Sequence, residues 1–332
     1  MAFIYEYGLF LAKAATLVLA VAIIIALIAG VALKQRPRKG QLEIHDLNEA
    51  YLQQQELLQH YLLPKKAFKK WQKNAQKSYD QLTEQPKRLF VVEFNGSIDA
   101  HEAEALREEV SAILAVATTE DEVLLKLESG GGVVHGYGLA ASQLDRLKQQ
   151  QIPLTVAVDK VAASGGYMMA CVADKILAAP FAIIGSIGVI AQLPNFNRLL
   201  KKHDVDFEQF TAGEFKRTVT LFGENTDKGR QKFQQELEET HQLFKAFVVR
   251  HRPALTLDKV ATGEHWFGYQ ALELGLIDEL STSDSYLSQA CQQRQVLQVK
   301  YSQKKRLSEK LGTAGASFGA ALWQKLQQWR WH

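Results

Sequence analysis

Residues 14–33 (AATLVLAVAIIIALIAGVAL) run for 20 positions without a charged side chain. As a helix rising about 1.5 Å per residue, such a run crosses a hydrocarbon core of about 30 Å. A cleaved signal peptide has a shorter apolar stretch and a small-residue cleavage site. A buried core helix is the other reading, but Lys34, Arg36, Arg38 and Lys39 follow at once and suit lipid headgroups. A retained membrane anchor is therefore expected over 1–33. Lys13 on one side and four cations on the other place the body in the cytoplasm if the positive-inside bias is read literally.

The net charge of +3 hides three blocks. Residues 34–88 carry +6, residues 89–282 carry −9 and residues 283–332 carry +6. The lysines 65, 66, 69, 70, 73 and 77 resemble a nucleic-acid patch, but no nucleic-acid-binding module accompanies them. A basic juxtamembrane helix beside anionic lipid is the expected role, each exposed cation contributing up to about 1 kcal/mol there. The 47% of hydrophobic residues excludes disorder throughout, and two cysteines cannot build a disulfide framework or a four-thiolate zinc site.

The pattern divides the chain into an anchor (1–33), a polar helical segment (34–88), a central domain (89–282) and a basic tail (283–332). In the central domain, short apolar runs at 89–94, 123–128 and 154–158 alternate with helical stretches near 101–116 and 138–149. That alternation predicts an α/β arrangement around a mainly parallel sheet. A long amphipathic helix is predicted over 228–251. The second uncharged run, 176–193, is broken by Pro180, Gly185 and Gly188, which suits buried strand and loop better than a second span. Trp323, Trp329 and Trp331 in the tail suit an interfacial helix or a plain flexible end.

Three segments invite chemistry. Ser164, followed by Gly165 and Gly166, lies after a predicted strand and can open a helix with its hydroxyl exposed, or simply cap that helix. Ala162 breaks the G-x-S-x-G elbow pattern. Ser129-Gly-Gly-Gly132 ends another strand and can present N–H groups to an oxyanion, or serve as an ordinary turn. Lys216, in Gly213-Glu-Phe-Lys216, read alone is a surface lysine. Gly136-Tyr-Gly138-Leu-Ala-Ala141 matches a dinucleotide fingerprint, but begins eight residues past Glu128 instead of at the strand end. His135, His241 and His265 lack motif context, and no close set of metal ligands is apparent. A serine nucleophile without histidine needs another base, and lysine is the documented substitute.

Five segments taken in order resemble the signal-peptide-peptidase A family of Ser–Lys peptidases, in its single-domain, membrane-anchored SohB-type branch. They are Ser129-Gly-Gly-Gly132, the stretch around Ser164, Gly185-Ser-Ile-Gly-Val189, Gly213-Glu-Phe-Lys216, and Gly263-Glu-His-Trp-Phe-Gly268 continuing to Gly275-Leu-Ile-Asp278. The resemblance covers about 89–282, with the anchor and basic helix before it. It implies a ClpP/crotonase-like core of repeated β-β-α units. It implies Ser164 as nucleophile, Lys216 as general base and Ser186 as the serine that positions the lysine amine. Gly131 and Gly132 would form the oxyanion turn, with the N–H of Gly165 as a further donor. No cofactor or metal is implied. Gly130 departs from the family's Ser-Pro-Gly-Gly, and losing proline frees the turn.

The resemblance further implies a homo-oligomer, a base that can act across a subunit boundary, and peptide or unfolded-segment substrates at an inner membrane. Family precedent puts the catalytic body on the periplasmic face, against the basic flank. A lysine base must lose its proton near neutrality. Its ordinary pKa of about 10.4 must fall by about 3, roughly 4 kcal/mol, which burial achieves. Lys216 is therefore expected among apolar walls, near Phe215 and away from carboxylates. The rivals are a crotonase-fold acyl-CoA enzyme and a non-catalytic membrane scaffold.

Overall fold

The computed structural model describes residues 7–20, 40–84 and 87–302. The chain divides into two units, Met1–Gln41 with Ser302–His332, and Leu42–Tyr301. In the first, residues 7–20 are helical. Among the described residues no helix is long and apolar enough to cross a membrane. Residues 21–33, the greater part of the uncharged 14–33 run, lie outside the described residues, as do the tail tryptophans.

The stretch after the anchor opens with a strand, β1 (Gln41–Asp46), where the sequence pattern predicts helix. Its alternation of Leu42 and Ile44 with polar residues is too short to stand out beside the helical pattern that follows. Asp46 then caps α1 (Leu47–Leu62), accepting the Glu49 N–H at 3.0 Å. Pro64 separates α1 from α2 (Lys65–Thr83), which folds back on it. Phe68, Trp71, Ala75, Tyr79 and Leu82 are half-buried along α2, while its six lysines are exposed. At 100° per residue those two sets lie on opposite faces of the helix.

The body follows as β2 (Arg88–Asn95), α3 (Ala103–Leu114), β3 (Glu122–Glu128), α4 (Val134–Gln149), β4 (Leu154–Val158), β5 (Val161–Ala163), α5 (Gly165–Ala170), β6 (Lys175–Ala178) and β7 (Ile183–Gly185). After an irregular arm come α6 (Asn197–Lys202) within that arm, α7 (Asp227–His251), α8 (Leu257–Val260), β8 (His265–Phe267), α9 (Gly268–Glu273), β9 (Glu279–Leu280), α10 (Ser283–Ala290) and β10 (Gln295–Ser302). Residues 283–302, grouped by charge with the basic tail, thus form a helix and a strand of the body. Average charge concealed Val296 and Val299, which are buried on opposite faces of the sheet.

Seven strands form one sheet in the order β1-β10-β2-β3-β4-β6-β9. From β10 to β9 all neighbours pair in parallel. Along β2, Phe90, Val92 and Phe94 enter one core cluster with α3, α4 and α5, whereas Leu89 and Val91 enter a second with Leu287 and Ala290 of α10. Both faces are therefore covered, as parallel sheets require. The architecture is the mixed α/β fold with a mostly parallel sheet that the alternation predicts. The 176–193 run resolves into β6, β7 and loop.

A small second sheet, β5-β7-β8, pairs β5 with β7 in parallel and β7 with β8 antiparallel. A strand of the large sheet followed by a strand of the small one and then a helix, as in β4-β5-α5, sets up the site. One clamp holds the far edge. Arg252, just past α7, grips both carboxylate oxygens of Asp278 at 2.9 Å, and Asp278 also accepts the Ile176 N–H at 2.7 Å. This gives the last residue of Gly275-Leu-Ile-Asp278 a structural role.

Candidate active site

β5 delivers Ser164 to the mouth of α5. Its backbone lies at φ 51°, ψ −119°, a left-handed conformation costly for a residue with a Cβ. Ser164 occupies the cap position but makes no side-chain cap hydrogen bond, so the capping role is not what holds it there. Its N–H donates to the Gly185 carbonyl at 2.8 Å, and its own carbonyl accepts the Met168 N–H at 3.0 Å. The conformation is thus fixed from both sides, while the hydroxyl has no hydrogen-bond partner among the described residues.

The glycine turn after β3 lies directly against this serine. A Cβ on Gly131, whose φ is +86°, would stand 2.7 Å from the Ser164 Cβ and 2.7 Å from the Gly165 nitrogen. Only glycine allows so close an approach. The Gly131 N–H is already committed, donating to Ser129 Oγ at 3.0 Å. Of the three expected oxyanion groups, Gly132 and Gly165 therefore carry the N–H groups with no partner among the described residues. A Cβ on Gly132 would meet the Ile98 carbonyl oxygen at 1.9 Å, so the turn is also clasped from its other side.

Ser186 follows Gly185 and so lies one residue beyond the carbonyl that holds Ser164. Its φ is 52°, its N–H donates to the Glu264 carbonyl at 2.7 Å, and its hydroxyl reaches the Gly263 carbonyl at 3.4 Å. Gly185, at φ +100°, has the Trp266 ring 2.9 Å from where a Cβ would be. The Gly263–Gly268 motif thus backs the strand that carries Ser186. Ser164, Ser186 and the glycine turn are brought together by β5, β7 and the end of β3.

Lys216 is different. It lies on the arm between β7 and α7 and is exposed, and no hydrogen bond joins it to Ser164. The apolar walls expected around its amine are not found among the described residues of the chain. The arm folds largely on itself: the Phe196 N–H donates to Leu221 at 2.7 Å, Asn195 bonds the carbonyls of Thr220 and Gly223, and Phe222 lies beside Phe196 and Phe207. Phe215 is flanked by Lys228 and Lys232, each 5.7 Å from its ring centre. Ile190 is 78% exposed and Phe210 89%.

One side chain that the sequence did not single out for this site completes it. Tyr137 is fully buried on α4, in the stretch that mimics a dinucleotide fingerprint. Its hydroxyl donates to the Ser97 carbonyl at 2.7 Å and lies 2.5 Å from Ser129 Oγ. The visible signal is the glycine spacing around it, whose dinucleotide reading the misplaced start already disfavours. Among the described residues no group of three or more His, Cys, Asp or Glu is placed to hold a metal.

Residues 2–144 match Peptidase family S49 N-terminal and residues 146–297 match Peptidase family S49. The chain is 57% identical over 321 residues to the probable protease SohB of Haemophilus influenzae, covering 92% of this chain and 91% of that protein. It is 50% identical over 302 residues to the probable protease SohB of Buchnera aphidicola subsp. Schlechtendalia chinensis, covering 86% and 99%. A solved membrane-bound stomatin-specific protease in complex with a substrate peptide aligns at 14% identity with a TM-score of 0.36, over 61% of this chain and 79% of that one. The length and level of the matches to whole relatives leave one assignment: the chain is a peptidase of family S49, of the SohB type within the signal-peptide-peptidase A group.

Proposed function

We propose that the chain is a membrane-anchored serine endopeptidase working through a Ser164–Lys216 dyad and an acyl-enzyme. The observation that carries this reading is Ser164 held at φ 51° against a glycine turn, its hydroxyl without a hydrogen-bond partner among the described residues. Strain at a non-glycine residue persists only where the surroundings enforce it, and it concentrates at reactive centres.

The neutral Lys216 amine takes the Ser164 proton as Oγ attacks a peptide carbonyl. The oxyanion of the tetrahedral intermediate accepts N–H bonds from Gly132 and Gly165. Collapse expels the new amine, which takes the proton back from the lysine. Water, deprotonated by the same amine, then frees the acyl group. Ser186 orients the amine.

Desolvation of Lys216 comes from a second copy of the chain. The exposed apolar residues of the arm, Ile190 and Phe210 foremost, favour burial against a neighbour, which would place each arm near a serine of the assembly. The core belongs with ClpP/crotonase-like folds of repeated β-β-α units, which suits such a homo-oligomer. Ile98, Val133 and Val134 are exposed beside the glycine turn and suit apolar substrate side chains, as in signal-peptide remnants or unfolded segments at an inner membrane. The 14–33 run supplies the anchor, with the catalytic body on the periplasmic face. The lysine face of α2 lies toward anionic lipid.

Cleavage of unfolded casein by the detergent-solubilised full chain tests this. Ser164→Ala and Lys216→Ala are each inactive, and co-assembled mixtures of the two regain part of the activity. Full activity in either single variant overturns the dyad, and mixtures without recovery overturn the sharing of sites between copies.

A further inference from the structure

The turn that faces the nucleophile lacks the proline that would stiffen it, yet it is not loose. Four groups stand in line. The Gly131 N–H donates to Ser129 Oγ at 3.0 Å, Ser129 Oγ lies 2.5 Å from the Tyr137 hydroxyl, and that hydroxyl donates to the Ser97 carbonyl at 2.7 Å. A carbonyl only accepts, so the tyrosine proton points to Ser97. The proton in the middle bond must then be the serine's. Each hydroxyl both accepts and donates, and such a chain polarises in one direction.

Ser129 is held by its backbone as well. Its N–H donates to the Val161 carbonyl at 2.9 Å and its carbonyl accepts the Ala163 N–H at 3.0 Å. It therefore pairs with the strand that delivers Ser164, while its side chain holds the turn that would receive the oxyanion. Three glycines make room for this. A Cβ on Gly96 would be 2.7 Å from Ser129 Oγ and 2.5 Å from the Tyr137 oxygen. On Gly165 it would be 2.4 Å from the Tyr137 ring, and on Gly166 it would be 2.5 Å from the Ser129 carbonyl oxygen. Ser129 is 2% exposed and Tyr137 is fully buried, so water cannot replace either hydroxyl without rearrangement.

We infer that Ser129 and Tyr137 are positioning residues that fix the oxyanion turn relative to Ser164, through a relay of hydroxyls that takes over the role of the missing proline. The inference rests on the peptidase reading above. By occupying the Gly131 N–H, the relay sets the orientation of the next peptide and leaves the Gly132 N–H as the donor. Neither side chain touches the reacting atoms. Their contribution is geometry at the transition state, so it enters kcat more than KM.

The test uses the full chain and a chromogenic peptide ester, with Ser129→Ala, Tyr137→Phe and the double variant. Each single variant is expected to lose about 10- to 100-fold in kcat, less than the roughly 100- to 1,000-fold lost when an oxyanion donor is itself removed, with KM changed less than about threefold. Inactivation by a fluorophosphonate slows in parallel. The double variant is no worse than Ser129→Ala alone, because the two hydroxyls act as one unit. Circular dichroism and melting temperature check the fold. If Ser129→Ala does not fold, Tyr137→Phe carries the test, since it removes one oxygen without changing the ring. Folded variants with wild-type kcat, a loss confined to KM, or additive losses in the double variant overturn the inference. Ser164→Ala separates the two levels. If it too retains activity, the nucleophile assignment fails; if it is dead while Ser129→Ala is fully active, only the relay fails.

Discussion

The N–H of Ser164 donates to the carbonyl of Gly185 at 2.8 Å, which ties the reactive serine to the strand that carries Ser186. β5 and β7 run in parallel, so their ends bring two serines, both at positive φ, to one edge of the small sheet. Neither would adopt that backbone in a free peptide without cost. The register of β5 on β7 enforces it, and it separates the requirements of reactivity from those of stability.

Ser164→Gly is therefore expected to abolish hydrolysis yet stabilise the fold by about 1 kcal/mol. Glycine relieves the left-handed strain, and the gain exceeds its extra unfolded-state entropy. Thermal unfolding checks this, and a lowered melting temperature contradicts it.

Adjacent glycines of one turn should respond oppositely. Gly131→Ala places a Cβ at positive φ, 2.7 Å from Ser164 Cβ, from Gly165 N and from the Ala163 carbonyl oxygen, so activity should fall at least about 100-fold. Gly130→Ala meets nothing within 4 Å and should retain most of its rate. Equal loss in both variants would argue against close apposition of turn and serine.

Glu109 on α3 gives a pH signature apart from catalysis. Burial pushes its carboxyl from 4.5 up to about 7, against a hydrogen bond from the Tyr301 N–H that favours the charged form. A carboxyl whose folded pKa lies above its unfolded value lends stability that is complete below the unfolded pKa. That stability is lost as pH rises through about 7. Glu109→Gln should thus be more stable than the parent by about 2 kcal/mol at pH 8.5, with the difference shrinking toward pH 5. An unchanged difference across that range would contradict the assignment.

The Arg252–Asp278 clamp predicts a stability effect from a motif residue. Asp278→Ala removes both bonds to Arg252 and the acceptor for the Ile176 N–H, and should cost about 1–3 kcal/mol. Urea denaturation measures it. If stability is unchanged and activity is lost, the residue belongs to the chemistry instead.

Much of this was legible in the residues. The 154–158 run forms β4 to the residue, and the long helix predicted at 228–251 begins one residue earlier. Ser164, Ser186 and the glycine turn converge because strand ends do so in a parallel sheet. What stayed hidden depends on packing. β10 lay inside a segment grouped by charge, and its partner β2 is about 200 positions away. The Ser129–Tyr137 pair spans a strand end and a helix, and no periodicity marks such a contact. The setting of Lys216 could not be read from order along the chain, because the arm that carries it is exposed and bonds largely to itself.

The most direct test of the central claim is mass spectrometry of the full chain after reaction with a fluorophosphonate, comparing the parent with Lys216→Ala. One adduct is expected, on the peptide containing Ser164, formed at least about 100-fold more slowly in the variant. An adduct on another residue, or labelling of Lys216→Ala at the parental rate, would contradict it.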